Sequence, residues 1–194
     1  MRGDVFLVES RLACEKMDRA MTSEHSQHSL VGYVDAAHAN DLRNRRSTTG
    51  YGFALSGGLI VWKSKTQATT TACSSTEAEF IAAVSAAKTA RYLRFVLTEL
   101  GFPPDGPTPL YEDNASAINM INAGKPTSRS RHINIQYFAI QTWKSNLDII
   151  MHFIPGTSNP VDDLMKPLGW VLHHGHARRL MGHYGIRFSG GSKS

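Results

Sequence analysis

The order of the strand-like and helix-like segments constrains the fold of this chain more than any other feature. Three strand-like segments follow one another: residues 29–36, 48–55 and 59–65. The Gly-containing turn at 56–58 favours a hairpin, so we expect a three-stranded antiparallel meander. Two later strand-like segments, 108–113 and 147–154, alternate with helical ones. This order predicts an α/β fold in which helices flank a mixed five-stranded sheet, with three antiparallel strands followed by parallel strands.

Helical periodicity marks the segments between and after the later strands. The patterns cover residues 75–100, 114–123 and 131–146, and a last helix is expected to begin at Val161. Ser74 and Glu77 match the S-x-x-E capping box at the start of the first and longest helix. The segment at 147–154 is apolar almost throughout, which predicts a strand buried at the centre of the sheet.

The composition fits one globular domain with a tail at each end. The chain has 194 residues, of which 41% are hydrophobic and 19% charged, so it can form a substantial core. We expect a poorly ordered extension or a short helix at 1–28, a folded domain at 29–169 and a basic, His-rich tail at 170–194. The formal net charge of +5 favours a polyanionic partner.

Cysteine usage and hydropathy bear on the cellular compartment. Cys14 and Cys73 form neither a disulfide framework nor a metal-binding spacing, so a reducing compartment is expected. No apolar run approaches the length of a membrane span, and the N-terminus lacks the apolar core of a signal peptide. We therefore expect a cytoplasmic or nuclear protein that is neither membrane-bound nor secreted.

Acidic residues stand at matching points of the predicted sheet. Asp35 ends the first strand, and Asp113 ends the strand after the long helix. If these strands pair in parallel, the two side chains become neighbours at the carboxyl edge of the sheet, where sites form in open α/β folds. Glu79 lies beside apolar residues early in the long helix, where a carboxylate is costly unless a cation meets it. Asp162, at the start of the last helix, can close a fourth side.

A cluster of these four carboxylates would require a cation, because they cannot all ionise together without one. Oxygen ligands without His or Cys suit Mg²⁺ or Mn²⁺. Two such ions, about 3.5–4 Å apart, would form a phosphoryl-transfer centre. The alternative is that each acid is an ordinary turn or cap residue. Glu112 precedes Asp113 and is expected to point to the opposite face, because residues of a strand alternate.

Seven short motifs follow one another along the chain. They are Gly32-Tyr33-Val34-Asp35-Ala36, Arg45-Arg46-Ser47-Thr48-Thr49-Gly50-Tyr51, Trp62-Lys63-Ser64-Lys65, Ser74-Ser75-Thr76-Glu77-Ala78-Glu79-Phe80, Tyr111-Glu112-Asp113-Asn114-Ala115-Ser116-Ala117, Arg131-His132-Ile133-Asn134-Ile135 and Lys166-Pro167-Leu168. In their order and spacing they resemble the ribonuclease H domain of copia-type LTR retrotransposon polyproteins, over about residues 29–183. The resemblance implies the ribonuclease H fold and metal-dependent cleavage of the RNA strand of an RNA–DNA hybrid. It also implies fusion to a reverse transcriptase and, in an intact element, residence in a cytoplasmic virus-like particle.

The resemblance also implies roles for the acids. Carried over residue by residue, the catalytic acids of the family fall on the same four positions. Asp35 would bridge two Mg²⁺ or Mn²⁺ ions. Glu79 and Asp113 would bind the first ion and orient the attacking water, and Asp162 would hold the second ion.

Several positions depart from the family pattern. A second acid often follows the first by two residues, where this chain has Ala37, and Asn134 replaces the Asp of a His-Ile-Asp-Ile run. Cellular ribonucleases H have a His before the last acid, thought to help product release, but none lies between Phe153 and Asp162. The upstream reverse-transcriptase sequence is also missing. Two alternatives therefore stay open: a decayed fragment that only binds nucleic acid, or a related metal nuclease that acts on DNA.

Basic and polar residues near the acids are candidates for binding the substrate. Lys63 and Lys65 share one face of the third strand, and three arginines line the preceding loop: Arg43, Arg45 and Arg46. They can follow a phosphate backbone without reading sequence, although a solvated, charged hairpin is the alternative. Ser75 and Thr76, at the start of the long helix, suit a phosphate or a 2′-hydroxyl. The resemblance to the ribonuclease H fold implies that they and Asn114 contact the minor groove of the hybrid.

The tail contains a group of histidines: His173, His174, His176 and His183. Their number would permit a zinc site. Neither an acid nor a Cys accompanies them, which disfavours zinc, and the resemblance implies a basic helical tail.

Overall fold

The computed structural model describes most of the predicted domain. The described residues are 29–40, 45–67, 74–123, 131–164 and 174–177. The predicted extension at 1–28, Arg43 and most of the predicted tail at 170–194 lie outside the described residues.

The described strands form one mixed sheet. They are β1 (Leu30–Ala37), β2 (Thr48–Leu55), β3 (Gly58–Thr66), β4 (Thr108–Glu112) and β5 (Ile149–Phe153). Their spatial order is β3-β2-β1-β4-β5. The first three strands pair antiparallel, whereas β1 pairs with β4 and β4 with β5 in parallel. The predicted mixed five-stranded sheet is confirmed.

In the described residues, three α-helices and two short 3₁₀ helices accompany the sheet. The α-helices are α1 (Ser75–Glu99), α2 (Ala115–Asn122) and α3 (Arg131–Ser145). The last helix predicted from Val161 is instead 3₁₀, over Pro160–Leu164, in the described residues. The backbone N–H of Asp162 donates to the carbonyl of Asn159, three residues back, which is the tighter 3₁₀ spacing. A further helical turn covers residues 174–177.

The position of β5 differs from the prediction. Its apolar run indicated a central strand, but β5 pairs with β4 and ends the order of described strands, while β1 occupies the centre. Ile150 and Phe153 of β5 are 39% and 55% exposed. The prediction was wrong because apolar side chains of a strand at the end of a sheet can remain in contact with water.

Helix α1 packs on the sheet through small side chains. Its buried face includes five alanines that are fully buried: Ala82, Ala83, Ala86, Ala87 and Ala90. Small side chains let the helix lie close to the strands beneath it. At its end, Gly101 has φ +86°, the left-handed conformation in which glycine ends a helix without strain.

Two polar contacts fix where α1 begins. The Ser74 hydroxyl accepts a hydrogen bond from the backbone N–H of Glu77 at 3.2 Å, as the predicted cap requires. The buried amide of Gln67 donates to the Thr49 hydroxyl and to the Ala78 carbonyl, each at 3.0 Å. Gln67 therefore ties the first turn of α1 to the antiparallel hairpin, one residue before Glu79.

None of the helices in the described part of the chain combines the length and apolar character that crossing a membrane requires.

Candidate metal centre

Three of the four predicted acids meet at one edge of the sheet. Asp35, Glu79 and Asp113 each offer a carboxylate oxygen, and these oxygens lie within 4.8 Å of one another. Asp35 and Glu79 are buried and Asp113 is half-buried. Carboxylates at this separation are a ligand set for a hard divalent cation.

The sheet register explains why Asp35 and Asp113 converge. Tyr33 of β1 pairs with Tyr111 of β4 in parallel, and the two rings stack with centroids 5.5 Å apart. Each aspartate follows its tyrosine by two residues, so both aspartates reach the same carboxyl edge. The expectation that parallel pairing makes them neighbours is confirmed.

Glu79 reaches the same edge from the first turns of α1. Its side chain is 6% exposed, and no described residue donates a hydrogen bond to its Oε2 atom. The pKa of Glu79 is raised from 4.5 to about 9, first by burial and then by the charges of Asp35 and Asp113. Contacts with Glu112 and the Ala36 backbone amide act in the opposite sense. A metal-free centre therefore keeps a proton at neutral pH.

Glu112 is a fourth carboxyl at this centre, and it was not among the predicted site residues. It is 0% exposed, and burial, followed by the charges of Glu79 and Asp113, raises its pKa well above the ordinary range. Its Oε1 atom accepts from the backbone N–H of Asn114 at 3.2 Å. As alternation predicts, Glu112 lies on the opposite face of the sheet from Asp113. Helix α1, which carries Glu79, packs on the face where Glu112 lies. The alternation, combined with the side on which α1 packs, was the signal that could have identified Glu112.

A short loop closes the centre behind Asp113. The 3₁₀ helix Gly156–Ser158 follows β5, and a Cβ atom on Gly156 would lie 2.7 Å from Oδ2 of Asp113. A larger residue at position 156 would therefore displace the Asp113 carboxylate or the loop. The buried Asn159 side chain fixes the far end of the loop by donating to the Val34 carbonyl at 2.6 Å, next to Asp35 in the chain.

The sequence was compared with those of known proteins and families. No protein-family profile matches the chain. It is 39% identical over 137 residues to a retrovirus-related Pol polyprotein from transposon TNT 1-94 of Nicotiana tabacum, which covers 71% of this chain and 10% of that protein. It is 30% identical over 152 residues to the Pol polyprotein from transposon RE2 of Arabidopsis thaliana, covering 78% and 10%. A shorter match, 52% over 64 residues, is to secreted RxLR effector protein 161 of Plasmopara viticola, covering 33% and 44%.

Solved structures show the same fold. Crystal structures of LC11-RNase H1, one with an RNA/DNA hybrid and one of the enzyme isolated from compost by a metagenomic approach, superpose with TM-scores of 0.51 and 0.50. The identities are 13% and 15%; the matches cover 70% and 71% of this chain and 93% and 92% of those chains. The chain has the ribonuclease H fold, and its sequence is similar to part of the Pol polyproteins of plant transposons. It spans about a tenth of the length of the Pol polyproteins that it matches.

Asp162 stands apart from the three clustered acids. It is half-buried in the 3₁₀ helix Pro160–Leu164 and is not a member of the group whose oxygens lie within 4.8 Å. The side chain of the neighbouring Asp163 lies outside the described residues. The role of Asp162 as ligand of a second ion stays a prediction.

The predicted substrate-binding residues fall into two groups, one basic and one polar. Arg45, Arg46 and Lys65 are exposed, whereas the ammonium of Lys63 lies over the Tyr51 ring, 5.6 Å from its centroid. Ser75 and Thr76 lie in the first turn of α1, beside Glu79. The Asn114 side chain caps α2 by accepting from the backbone N–H of Ala117 at 3.0 Å, so its structural role is already filled. Nucleic-acid binding by these residues stays a prediction.

The raised pKa of Glu79 makes the stability of the metal-free domain depend on pH. Between about 4.5 and about 9 the folded state keeps a proton that the unfolded chain has released. Raising the pH through this window is therefore expected to destabilise the metal-free domain, and the buried Glu112 acts in the same sense. Denaturant unfolding in EDTA at several pH values measures this slope. Glu79→Gln should flatten it, whereas Glu77→Gln at the same helix start should not; an unchanged slope in Glu79→Gln would contradict the assignment.

Proposed function

We propose that this domain is a divalent-metal-dependent endonuclease that hydrolyses the RNA strand of RNA–DNA hybrids. The observation that carries the proposal is the convergence of Asp35, Glu79 and Asp113, whose oxygens lie within 4.8 Å at the carboxyl edge of a ribonuclease H-fold sheet. Three carboxylates repel one another at this distance unless a cation or a proton intervenes.

The residues present suit a metal ion. Glu79 has a buried oxygen without a hydrogen-bond donor among the described residues, and its pKa is raised by its acidic neighbours. Both properties are relieved when a cation takes the place of the proton. The donor set contains oxygen only, which favours Mg²⁺, with Mn²⁺ as a substitute.

Four residues of the chain would bind the metal ions. Asp35, at the centre of the sheet, would hold two ions, Glu79 and Asp113 would complete the first site, and Asp162 would complete the second. When bound, such ions stabilise the charge that develops on the phosphate and generate hydroxide from water at neutral pH. Glu79 has to release its proton before it can bind, so activity is expected to rise with pH.

The proposed substrate follows from the basic surface and the fold. The formal net charge is +5, and exposed Arg45, Arg46 and Lys65 can contact phosphates without reading sequence. Ser75 and Thr76 at the start of α1 lie next to the acids and can contact a 2′-hydroxyl. Support for a hybrid comes from LC11-RNase H1, whose structure contains an RNA/DNA hybrid. We further propose that, within a full-length Pol polyprotein, the domain works next to a reverse transcriptase, either in cytoplasmic particles or in the nucleus.

A cleavage assay tests this function. RNA labelled at its 5′ end would be presented as hybrid, as single strand and as RNA duplex, and labelled DNA as a duplex, each with Mg²⁺ or with EDTA. The expected result is Mg²⁺-dependent cutting of RNA in the hybrid alone, with 3′-hydroxyl and 5′-phosphate ends. Asp105→Asn, an exposed acid outside the cluster, is the matched control. Cutting of duplex DNA would favour the DNA nuclease, and hybrid binding without cutting would favour the decayed fragment; either result contradicts the proposal.

A further inference from the structure

His176 packs against the loop that closes the candidate metal centre. It lies in the helical turn at 174–177 and is 2% exposed, whereas His174 of the same turn is exposed. Its Nε2 atom lies 3.2 Å from the carbonyl oxygen of Thr157. A carbonyl can only accept, so His176 donates this hydrogen bond from Nε2. The contact joins the tail to the loop that closes the site.

The contacted loop sets the position of Asp113. Thr157 is the residue after Gly156, whose Cβ position lies 2.7 Å from the Asp113 carboxylate. The loop is a single 3₁₀ turn, in which the N–H of Ser158 donates to Pro155 and the N–H of Asn159 to Gly156. A shift of a turn this short would move its backbone against the carboxylate or away from it.

The loop is held at two points by buried polar side chains. On the sheet side, Asn159 is fully buried and donates to the Val34 carbonyl at 2.6 Å. On the tail side, His176 holds Thr157. The Asn159 bond is buried and the His176 bond is part-buried. Breaking the His176 bond would leave the buried imidazole N–H without its acceptor, which is costly.

We propose that His176 is a positioning residue for the metal centre. Through Thr157 it holds the Gly156 backbone against Asp113, so the ability of the three-carboxylate cluster to bind a divalent cation depends on the tail. This inference rests on the proposed function, because it assigns His176 to the cation site that the function requires. Residues that orient metal ligands through one intermediate typically affect metal affinity by about 10–100-fold.

The test compares two replacements of similar size in the full-length chain. His176→Gln keeps a side-chain N–H donor near the Nε2 position, and His176→Met keeps bulk without a donor. Binding of Mn²⁺ would be measured by calorimetry, and the exchange of the Ser158 and Asn159 amide hydrogens by NMR. His176→Met is expected to weaken Mn²⁺ binding about tenfold and to speed both exchange rates severalfold. His176→Gln should stay close to the wild type, as should the control His174→Met.

The outcomes separate this inference from the proposed function. Unchanged exchange and binding in His176→Met would overturn it, and so would equal losses in the Met and Gln variants, which would show that only packing matters. Faster exchange in His176→Met with unchanged Mn²⁺ affinity would overturn the link from the loop to Asp113. If the wild-type chain bound no Mn²⁺, the proposed function would fail, and the inferred coupling of His176 to metal binding would fall with it. The exchange rates would then decide separately whether His176 holds the loop.

Discussion

Replacing Asp35 by asparagine is expected to remove hybrid cleavage while leaving the metal-free domain at least as stable as the wild type. Asp35 lies on the central strand and shares the cluster with Glu79 and Asp113. An amide keeps the shape of the side chain but removes the charge that a divalent cation needs. We expect a loss of activity on the order of 10³-fold, the size of effect that follows removal of a charge-stabilising group from an active site.

The stability half of this prediction has the opposite sign, and it separates a ligand from a structural acid. After burial, the charge of Asp35 contributes most to the raised pKa of Glu79. Neutralising Asp35 therefore relieves repulsion in the metal-free protein. The melting temperature in EDTA should therefore stay the same or rise, and the gain in melting temperature on adding Mg²⁺ should shrink. The control Asp105→Asn should change neither. A folded Asp35→Asn variant with wild-type cleavage would refute the assignment of Asp35.

Replacing Gly156 by alanine is expected to have the second largest effect, although Gly156 carries no functional group. The added Cβ would stand 2.7 Å from Oδ2 of Asp113, too close for two atoms that are not bonded. Either the carboxylate or the loop has to move, and a displacement of about 1 Å at a reacting centre can cost about 10²-fold in rate. The measurement is hybrid cleavage at saturating Mg²⁺, together with Mn²⁺ affinity.

Gly106→Ala is the matched control for this substitution. A Cβ atom on Gly106 meets no atom within 4 Å, so the variant should cleave like the wild type. A Gly156→Ala variant that binds Mn²⁺ and cleaves the hybrid normally would show that the loop does not set the position of Asp113.

The sheet and the meeting of its acids could be predicted because both follow from local patterns. Strand and helix periodicities fix the order of elements, and parallel pairing then places Asp35 and Asp113 at one edge. Glu79 needed one further step, the recognition that a carboxylate among apolar residues requires a partner. In the metal-free structure its nearest charged neighbours are acids, so burial and then the charges of Asp35 and Asp113 raise its pKa to about 9.

The errors arose where the outcome depends on packing between distant segments. The apolar run of β5 could not reveal that no described strand pairs with its outer side. Glu112 was set aside by alternation alone, since the side on which α1 packs was not considered. The contact between His176 and Thr157 joins residues 19 apart through the path of the tail, and no local pattern encodes that path.

The most direct test of the proposed metal centre is a crystal structure of the domain soaked in Mn²⁺, with anomalous scattering used to locate the ion. We expect a peak ligated by Asp35, Glu79 and Asp113, with a second peak between Asp35 and Asp162 when hybrid is bound. Anomalous maps with no peak at the three carboxylates, from crystals in which Mn²⁺ is bound elsewhere, would contradict this expectation.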